Sequence, residues 1–388
     1  LLLRDRLVLN ITERKKMGFY TKKSYAGESY EAYVPPKLPV DIDISGIRHL
    51  LDKANVALGK LDGASSILPD INLFIFMYVK KEAVLSSQIE GTQSSLSDLL
   101  KYEAGDTPIE TIDDVVEVSN YVEALKYALD RIQVLPLSLR LIRETHKILL
   151  THSRGQNKLP GEFRTSQNWI GGTRPGNAIY VPPPPEKLDE CLGNFELFMH
   201  SKDLPSLIKI AICHAQFETI HPFLDGNGRM GRLLISLMLY CEHVIQKPVV
   251  YLSLYFKLHR QTYYDLLQRV RTQQDWISWI EFFLNGITHI CENAIGVTNR
   301  VLTLFSKDKE LLLTKGKSNS INLLMVYQAV TYSPIVSAQQ IAKETQLSDK
   351  TVIRMLKKLQ EMDIVQEITG NSRNKKFAYT KYLDIFLK

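Results

Sequence analysis

Residues 221–232 read HPFLDGNGRMGR and place a histidine, one carboxylate and two arginines around glycines at 226, 228 and 231. His221 is the side chain type best suited to taking a proton near neutral pH. Asp225 is the one carboxylate of the stretch and offers the hard oxygen that Mg²⁺ prefers beside a phosphate. Asp225, Gly226, Asn227 and Gly228 can turn their backbone N–H groups toward one point, at the start of a helix whose dipole favours an anion. Arg229 and Arg232 stand three apart, on one face of the first turn of that helix, and can clamp further phosphates. Pro222 and Phe223 read as structural residues that pin the loop to the core. A base, a metal ligand, an anion nest and a cationic clamp together describe attack by a hydroxyl on a nucleotide phosphate.

Each part has a plainer explanation when taken alone. A histidine ending a helix is commonly a cap or a core residue, and paired arginines are mostly solvated. Gly226–Gly231 also spells the dinucleotide fingerprint GxGxxG, but the preceding residues PSLIKIAICHAQFETI have a helical period, and no acid follows at the distance needed to hold a ribose. The Asn-Gly pair could turn a hairpin, yet both flanks are helical rather than alternating. What remains is helix, tight loop, helix.

The rest of the chain must position that loop. Residues 1–45 read as an arm laid over the body. Apolar residues three and four apart predict helices through 46–150, and again at 186–200, 205–219, 229–244 and 258–310. Between them, 155–185 is rich in Gly, Pro and Asn and reads as an irregular hairpin around GGTRPGN. KEAVLSSQIEG, 81–91, is an amphipathic helix ending at a glycine cap. Charge and glycine mark a boundary near 315. Beyond it, twelve Lys and Arg stand against six Asp and Glu, so this tail carries the whole formal net charge of +6 and could meet an acidic partner.

Composition narrows the class. An apolar share of 45% and a charged share of 23% are those of a soluble globular protein. The longest apolar candidate, 71–79, is half a membrane span, and LLLRDRLVLN is too short and too charged for a signal peptide. The expected location is therefore cytoplasmic, with no membrane partner. Cys191, Cys213, Cys241 and Cys291 lack close spacing and read as reduced, mostly buried thiols rather than a disulfide framework or a zinc site.

HPFLDGNGRMGR resembles the Fic family motif HPFx(D/E)GNGRxxR at every fixed position, and supporting similarity runs from about residue 80 to 285. The resemblance implies a mainly α fold, with a Fic-type helical core and a β-hairpin flap, and transfer of AMP from ATP to a Ser, Thr or Tyr hydroxyl of a target protein, self-modification included. It implies that His221 is the general base and that Asp225 holds Mg²⁺. Asn227 and the amides of Gly226, Gly228 and the turns around Gly231 would take the α and β phosphates, and Arg229 and Arg232 the outer ones. Ser86, Glu90 and Gly91 resemble the family's inhibitory motif (S/T)xxxE(G/N), in which the glutamate pairs with the second arginine, here Arg232. Ser86 and Glu90 lie one helical turn apart and can face one pocket.

Residues 161–185 resemble the family's flap, with Asn168, Trp169, Ile170 and Gly171 on the strand that would receive a target peptide as an added strand. RQTYYDLLQRVR resembles the segment that closes over adenine, which suggests Tyr263, Tyr264 and Leu267. Relatives often carry Asn where this chain has Arg271. The tail resembles a winged helix, with 349–360 as recognition helix and Arg354, Lys357, Lys358, Arg373, Lys375 and Lys376 as phosphate contacts; such modules bind DNA, dock proteins or join homodimers. The expected divisions are an arm at 1–45, an inhibitory helical region at 46–135, a catalytic core at 136–312 and a winged helix at 315–388. The same site would also serve to pass another nucleotide monophosphate or to remove AMP, and a nucleotide-sensing DNA-binding regulator is the alternative of another class.

Overall fold

The computed structural model describes residues 17–66, 71–103, 112–315, 320–370 and 375–387. Helices α1 (Arg48–Ser66), α2 (Ile71–Ile89), α3 (Leu96–Glu103), α4 (Ile112–Arg131) and α5 (Leu139–Leu149) fill the first helical stretch. They are followed by α6 (Pro185–Met199), α7 (Ser206–Ile220), α8 (Asn227–Cys241), α9 (Ser253–Leu258), α10 (Arg260–Gln273) and α11 (Trp276–Lys315). The fold is mainly α, as expected.

At the centre lies α7, in which every residue from Leu207 to Ile220 is buried. A helix with no polar stripe must be surrounded by other elements. α8 packs along it, α6 flanks it, and α11 crosses it with the indole N–H of Trp279 donating to Ala211 O at 2.8 Å. The buried ammonium of Lys209 on α7 is satisfied by Glu242 Oε1 at 2.6 Å and Ser201 O at 2.9 Å. At 40 residues, α11 is about 60 Å long and touches α1, α7, α9 and α10 along its length.

Three expectations gain detail. The period through 258–310 does not belong to one helix; the chain breaks at His259 and again at Gln274, whose φ of 55° is left-handed. Apolar spacing continues in phase across such short caps, so periodicity alone cannot see them. The N-terminal arm, described from residue 17, is a hairpin: β1 (Phe19–Tyr25) pairs antiparallel with β2 (Glu28–Val34) across Ala26 and Gly27, both at positive φ as a two-residue hairpin turn needs. The segment 155–185 contains a single antiparallel bridge, Ile170 with Tyr180, in keeping with the irregular hairpin expected there. β2 extends that small structure, since Tyr33 N donates to Val181 O at 2.9 Å.

Beyond α11 come α12 (Ser320–Tyr332), β3 (Ile335–Ser337), α13 (Ala338–Thr345), α14 (Asp349–Glu361), β4 (Gln366–Glu367), β5 (Lys376–Ala378) and α15 (Thr380–Leu387). The strands form an antiparallel sheet in the order β3-β5-β4. One continuous apolar cluster runs from the body into this unit, across the boundary expected near 315. Asp308 on α11 accepts hydrogen bonds from the hydroxyls of Tyr379 and Tyr327, and the ring of Phe386 meets that of Tyr78 on α2 edge-on at 5.8 Å.

No helix among the described residues is long and apolar enough to cross a membrane. All four cysteines are free; Cys191, Cys213 and Cys291 are buried and Cys241 is half-buried.

Asp308 is the polar anchor of the C-terminal unit. Asp308→Ala leaves two buried tyrosine hydroxyls without their shared acceptor and is expected to cost about 2 kcal/mol, read as a lower midpoint in urea unfolding; Tyr327→Phe, which removes donor and desolvation together, should cost less.

Candidate nucleotide and phosphate site

The loop between α7 and α8 is bracketed by two left-handed residues. His221 ends α7 at φ 49°, ψ 60°, and Gly226 opens α8 at φ 75°. A non-glycine residue with positive φ is uncommon, and such residues gather where function demands a particular side-chain direction. At 226 the positive φ favours glycine, and an added Cβ would also sit tightly against Leu150 at 3.2 Å and His146 Nε2 at 3.3 Å.

The loop is held by residues from α8, α5 and the flap. Asn227 clasps Phe223, its Oδ1 accepting from Phe223 N and its Nδ2 donating to Phe223 O, both at 2.8 Å. This corrects the expectation for the Asn227 side chain: it is buried and spent on the loop, so only its backbone N–H is left for an anion. The ring of Phe223 stacks on His146 of α5, with centroids 3.6 Å apart and planes 5° off parallel. Gly161 N donates to His146 Nδ1 at 2.9 Å, so the ring proton is on Nε2 and is donated to Asp225 O at 2.9 Å. Burial holds this imidazole neutral, with its pKa pushed down to about 4.

Arg164, at the start of the flap, is buried and donates to four main-chain carbonyls: His221 and Ile220 at the end of α7, Ser166, and Pro183. Asn168 Nδ2 donates to His221 O and Phe223 O at 3.2 and 2.9 Å. The other flap residues stand farther out: Trp169 is half-buried with its ring 6.3 Å from that of Tyr25, Ile170 makes the bridge, and Gly171 is exposed at φ 69°.

His221 Nδ1 lies 3.4 Å from Glu218 O and 3.9 Å from Glu218 Oε2. Burial and the nearby cations Arg271 and Arg164 push its pKa down to about 3, so the imidazole is neutral at physiological pH and able to accept a proton. Asp225 keeps its carboxylate 42% exposed; Oδ1 accepts from Gly226 N at 2.6 Å and stands 3.8 Å from Arg229 Nη2. Among the described residues no cluster of three or more His, Cys, Asp or Glu could hold a metal. One accessible carboxylate beside an anion nest nevertheless fits Mg²⁺, which is commonly held by one or two carboxylates with water and phosphate oxygens.

Arg229 and Arg232 are both buried and both paired. Arg229 Nη1 donates to Glu117 Oε2 of α4 at 3.1 Å, and Glu117 also takes Arg154. Arg232 donates from Nε to Ser86 Oγ at 2.9 Å and from Nη2 to Ser86 O at 3.0 Å and Glu90 Oε1 at 2.6 Å. The resemblance thus located a real contact. Glu90 can come this close because residue 228 is glycine: a Cβ there would lie 2.2 Å from Glu90 Oε1. Gly91 follows at φ 104°, where the chain turns out of α2. Burial opposes ionisation of Glu90, but Arg232 outweighs it and holds the carboxyl below its ordinary value. With a depressed pKa the pair persists at neutral pH and is lost only as pH falls through the acidic carboxylate range.

The residues suggested for adenine divide. Tyr263 is buried with its hydroxyl engaged by His214 Nε2 at 2.9 Å, and Leu267 is buried in the core, which leaves Tyr264, 39% exposed, as the accessible one. Arg271 is also a structural residue: it lies 3.9 Å over the ring of Tyr180 and donates to Glu218 O at 3.1 Å, a cation at the C-terminal end of α7. In the C-terminal unit Arg354, Lys357 and Lys375 are exposed and Lys358 is half-buried. Lys376 is buried in β5 and is withdrawn as a phosphate contact, and Arg373 lies outside the described residues. Glu117, His146 and Arg164 escaped sequence reasoning because they approach from 57 to 112 residues away; Glu218, three before His221, was open to it.

Asn227→Ala should cost about 2–4 kcal/mol by leaving both main-chain groups of buried Phe223 unpaired, measured by thermal unfolding, while Asn227→Asp, which keeps the acceptor, should cost less.

Residues 48–130 match the family model described as Fic/DOC family N-terminal, and residues 136–239 match that of the Fic/DOC family. A protein adenylyltransferase Fic of Aedes aegypti is 31% identical over 238 residues, 57% of this chain and 44% of that one. One of Drosophila grimshawi is 35% identical over 133 residues, 33% of this chain and 26% of that one. The chain therefore spans less than half the length of these relatives. In fold, it is similar to the crystal structure of a Fic family protein from Desulfovibrio desulfuricans G20, with TM-score 0.56 and 18% identity over 88% of this chain and 97% of that one. Fic-1 (residues 134–508) of C. elegans is similar too, with TM-score 0.52 and 20% identity over 66% and 74%. Two adjoining family models that together contain the 221–232 loop, with relatives and fold in agreement, make this chain a member of the Fic/DOC family.

Proposed function

We propose that the chain is a self-inhibited protein adenylyltransferase. His221 takes the proton of a Ser, Thr or Tyr hydroxyl on a target protein, the oxygen attacks the α-phosphorus of ATP, and pyrophosphate leaves. The backbone N–H groups at the start of α8 hold the phosphates, and Arg232 holds the outermost one once Glu90 has left it. Asp225 would hold Mg²⁺, which supplies charge neutralisation on the phosphate oxygens. The Asn168–Gly171 side of the flap receives the target chain, since β2 already occupies Val181. Tyr264 is the accessible side chain for the base.

The observation that carries this reading is the competition for Arg232. Its donors now face Ser86 and Glu90, and a terminal phosphate needs the same guanidinium. The names of the curated relatives, protein adenylyltransferase Fic, support AMP as the transferred group. A second reading concerns the C-terminal unit, where the order helix, strand, two helices, hairpin and the β3-β5-β4 sheet favour a winged helix. The exposed Arg354 and Lys357 on α14 would make its acidic partner DNA.

The test is transfer of label from α-labelled and γ-labelled ATP onto protein, with Mg²⁺. Glu90→Gly should transfer α label at least about 100-fold faster than the parent chain, the scale on which one transition-state contact acts, and Glu90→Gly/His221→Ala should transfer none. Label from the γ position would make the chain a kinase; no α label in Glu90→Gly would remove the transferase. Release of AMP from pre-modified protein would instead identify the reverse reaction.

A further inference from the structure

Glu218 is a buried carboxyl that nothing so far has used. It sits on the last turn of α7, three residues before His221, with its side chain 8% exposed. Its Oε1 has no hydrogen-bond partner and lies against Gly231 of α8, while Oε2 stands 3.9 Å from His221 Nδ1. A buried carboxylate without hydrogen bonds is costly, so such a group is either protonated or waiting for a partner.

The charges around it are mutually dependent. Facing Glu218 are Arg232 from α8, Glu90 from the tip of α2, Arg271 and Tyr263 from α10, and His221 on its own helix; His221 further faces Arg164 from the flap. Two carboxyls thus share the neighbourhood of the Arg232 guanidinium, and only one of them hydrogen-bonds to it. The paired one, Glu90, is ionised. Burial first, and then the charge of Glu90, raise the Glu218 pKa to about 7 against the pull of Arg232 and Arg271. Removing Glu90 takes away a negative charge and leaves Arg232 in place, which favours the Glu218 carboxylate.

The same geometry fixes the imidazole. Both groups nearest Nδ1, Glu218 O and Glu218 Oε2, accept hydrogen bonds when the carboxyl is ionised, so Nδ1 carries the ring proton and Nε2 the lone pair. An ionised carboxylate at Nδ1 stabilises the imidazolium that forms when Nε2 takes a proton.

We propose that Glu218 is a positioning residue that ties the base to the inhibitory contact: it ionises when Glu90 leaves Arg232, and its carboxylate then holds the Nδ1–H of His221 and strengthens Nε2 as a base. While Glu90 is in place, two things are withheld together, the arginine for the outer phosphate and the carboxylate behind the histidine. Glu218 is assigned this part on the reading of His221 as the base proposed above. Only one proton moves in the release: Glu218 gives it to solvent, and no other bond changes.

The test is NMR titration of the full chain in the parent form, Glu90→Gly, and Glu90→Gly/Glu218→Gln. The His221 signal is assigned by its loss in Glu90→Gly/His221→Ala, and the Glu218 carboxyl is followed by carbon-13. In Glu90→Gly the Glu218 midpoint should fall by about one unit or more, a tenfold change in proton affinity, and the His221 midpoint should rise even though loss of the Glu90 charge by itself lowers it. Glu90→Gly/Glu218→Gln should return the His221 midpoint toward its parent value. It should also lower kcat for α-label transfer about tenfold with KM for ATP little changed, because the phosphates keep their ligands. An unmoved Glu218 carboxyl in Glu90→Gly overturns the proposal without any Glu218 variant having to fold, and so does a His221 midpoint indifferent to Glu218→Gln. If the titrations move as stated but Glu90→Gly transfers no label, the transferase reading fails and the coupling stands.

Discussion

A guanidinium buried in the first turns of a helix needs an anion, because the helix dipole there is positive as well. Arg232 is 2% exposed in that position on α8, and much of the molecule is arranged around satisfying it. α2 runs so that its C-terminal end arrives at the N-terminal end of α8, bringing Ser86 and Glu90. Arg229, one turn earlier, is met by Glu117 from α4. The site is thus a concentration of positive charge with counter-charges from the protein's own helices, the places that a nucleotide's phosphates would take on the proposed function. On the function proposed above, inhibition and substrate binding are two solutions to one electrostatic requirement.

The opposite requirement holds at the other side of the loop. α7 ends at His221 with its last carbonyls directed out of the helix, and the chain places Arg164 and Arg271 on them. These cations do two jobs. They pin the C-terminal end of α7 to the flap and the loop, and their charge adds to burial in keeping the imidazole deprotonated. The loop between can then hold backbone geometry that glycine and a left-handed histidine make accessible, with Asn227 and His146 taking up its internal polar groups. Rigidity matters because a phosphate nest works only while its N–H groups converge.

α2 is anchored well before its tip. Glu82 accepts from Tyr121 and from the hydroxyl and N–H of Ser253, and burial raises its pKa to about 7. Lys80, on the same helix, pairs with Glu103, and Tyr78 packs against Phe386 of the C-terminal unit. These contacts hold the body of the helix in the shared core, whereas Glu90 lies beyond its last residue and keeps 39% of its side chain in solvent. The Glu90 carboxylate is therefore mounted on a fixed helix but itself reaches across an open edge.

The sequence by itself determined which side chains gather at the loop and at the end of α2, because both sets depend on residues close together along the chain. His221, Asp225 and the glycines are linked by a backbone too short to separate them, and Ser86 and Glu90 must share a face one helical turn apart. Helices of the body were legible from apolar period for the same local reason, and their ends at His259 and Gln274 were not, since a cap need not disturb the period. Tertiary structure alone decided which local choices were spent on folding: Asn227 on Phe223, Tyr263 on His214, Arg271 on the end of α7, Lys376 on the interior of β5. It also decided what the charges mean, by bringing Glu117 and Arg164 from distant stretches into the interior and Glu90 to its open edge. A group's ionisation is set by the charges and solvent around it, and those neighbours are fixed only when the helices pack.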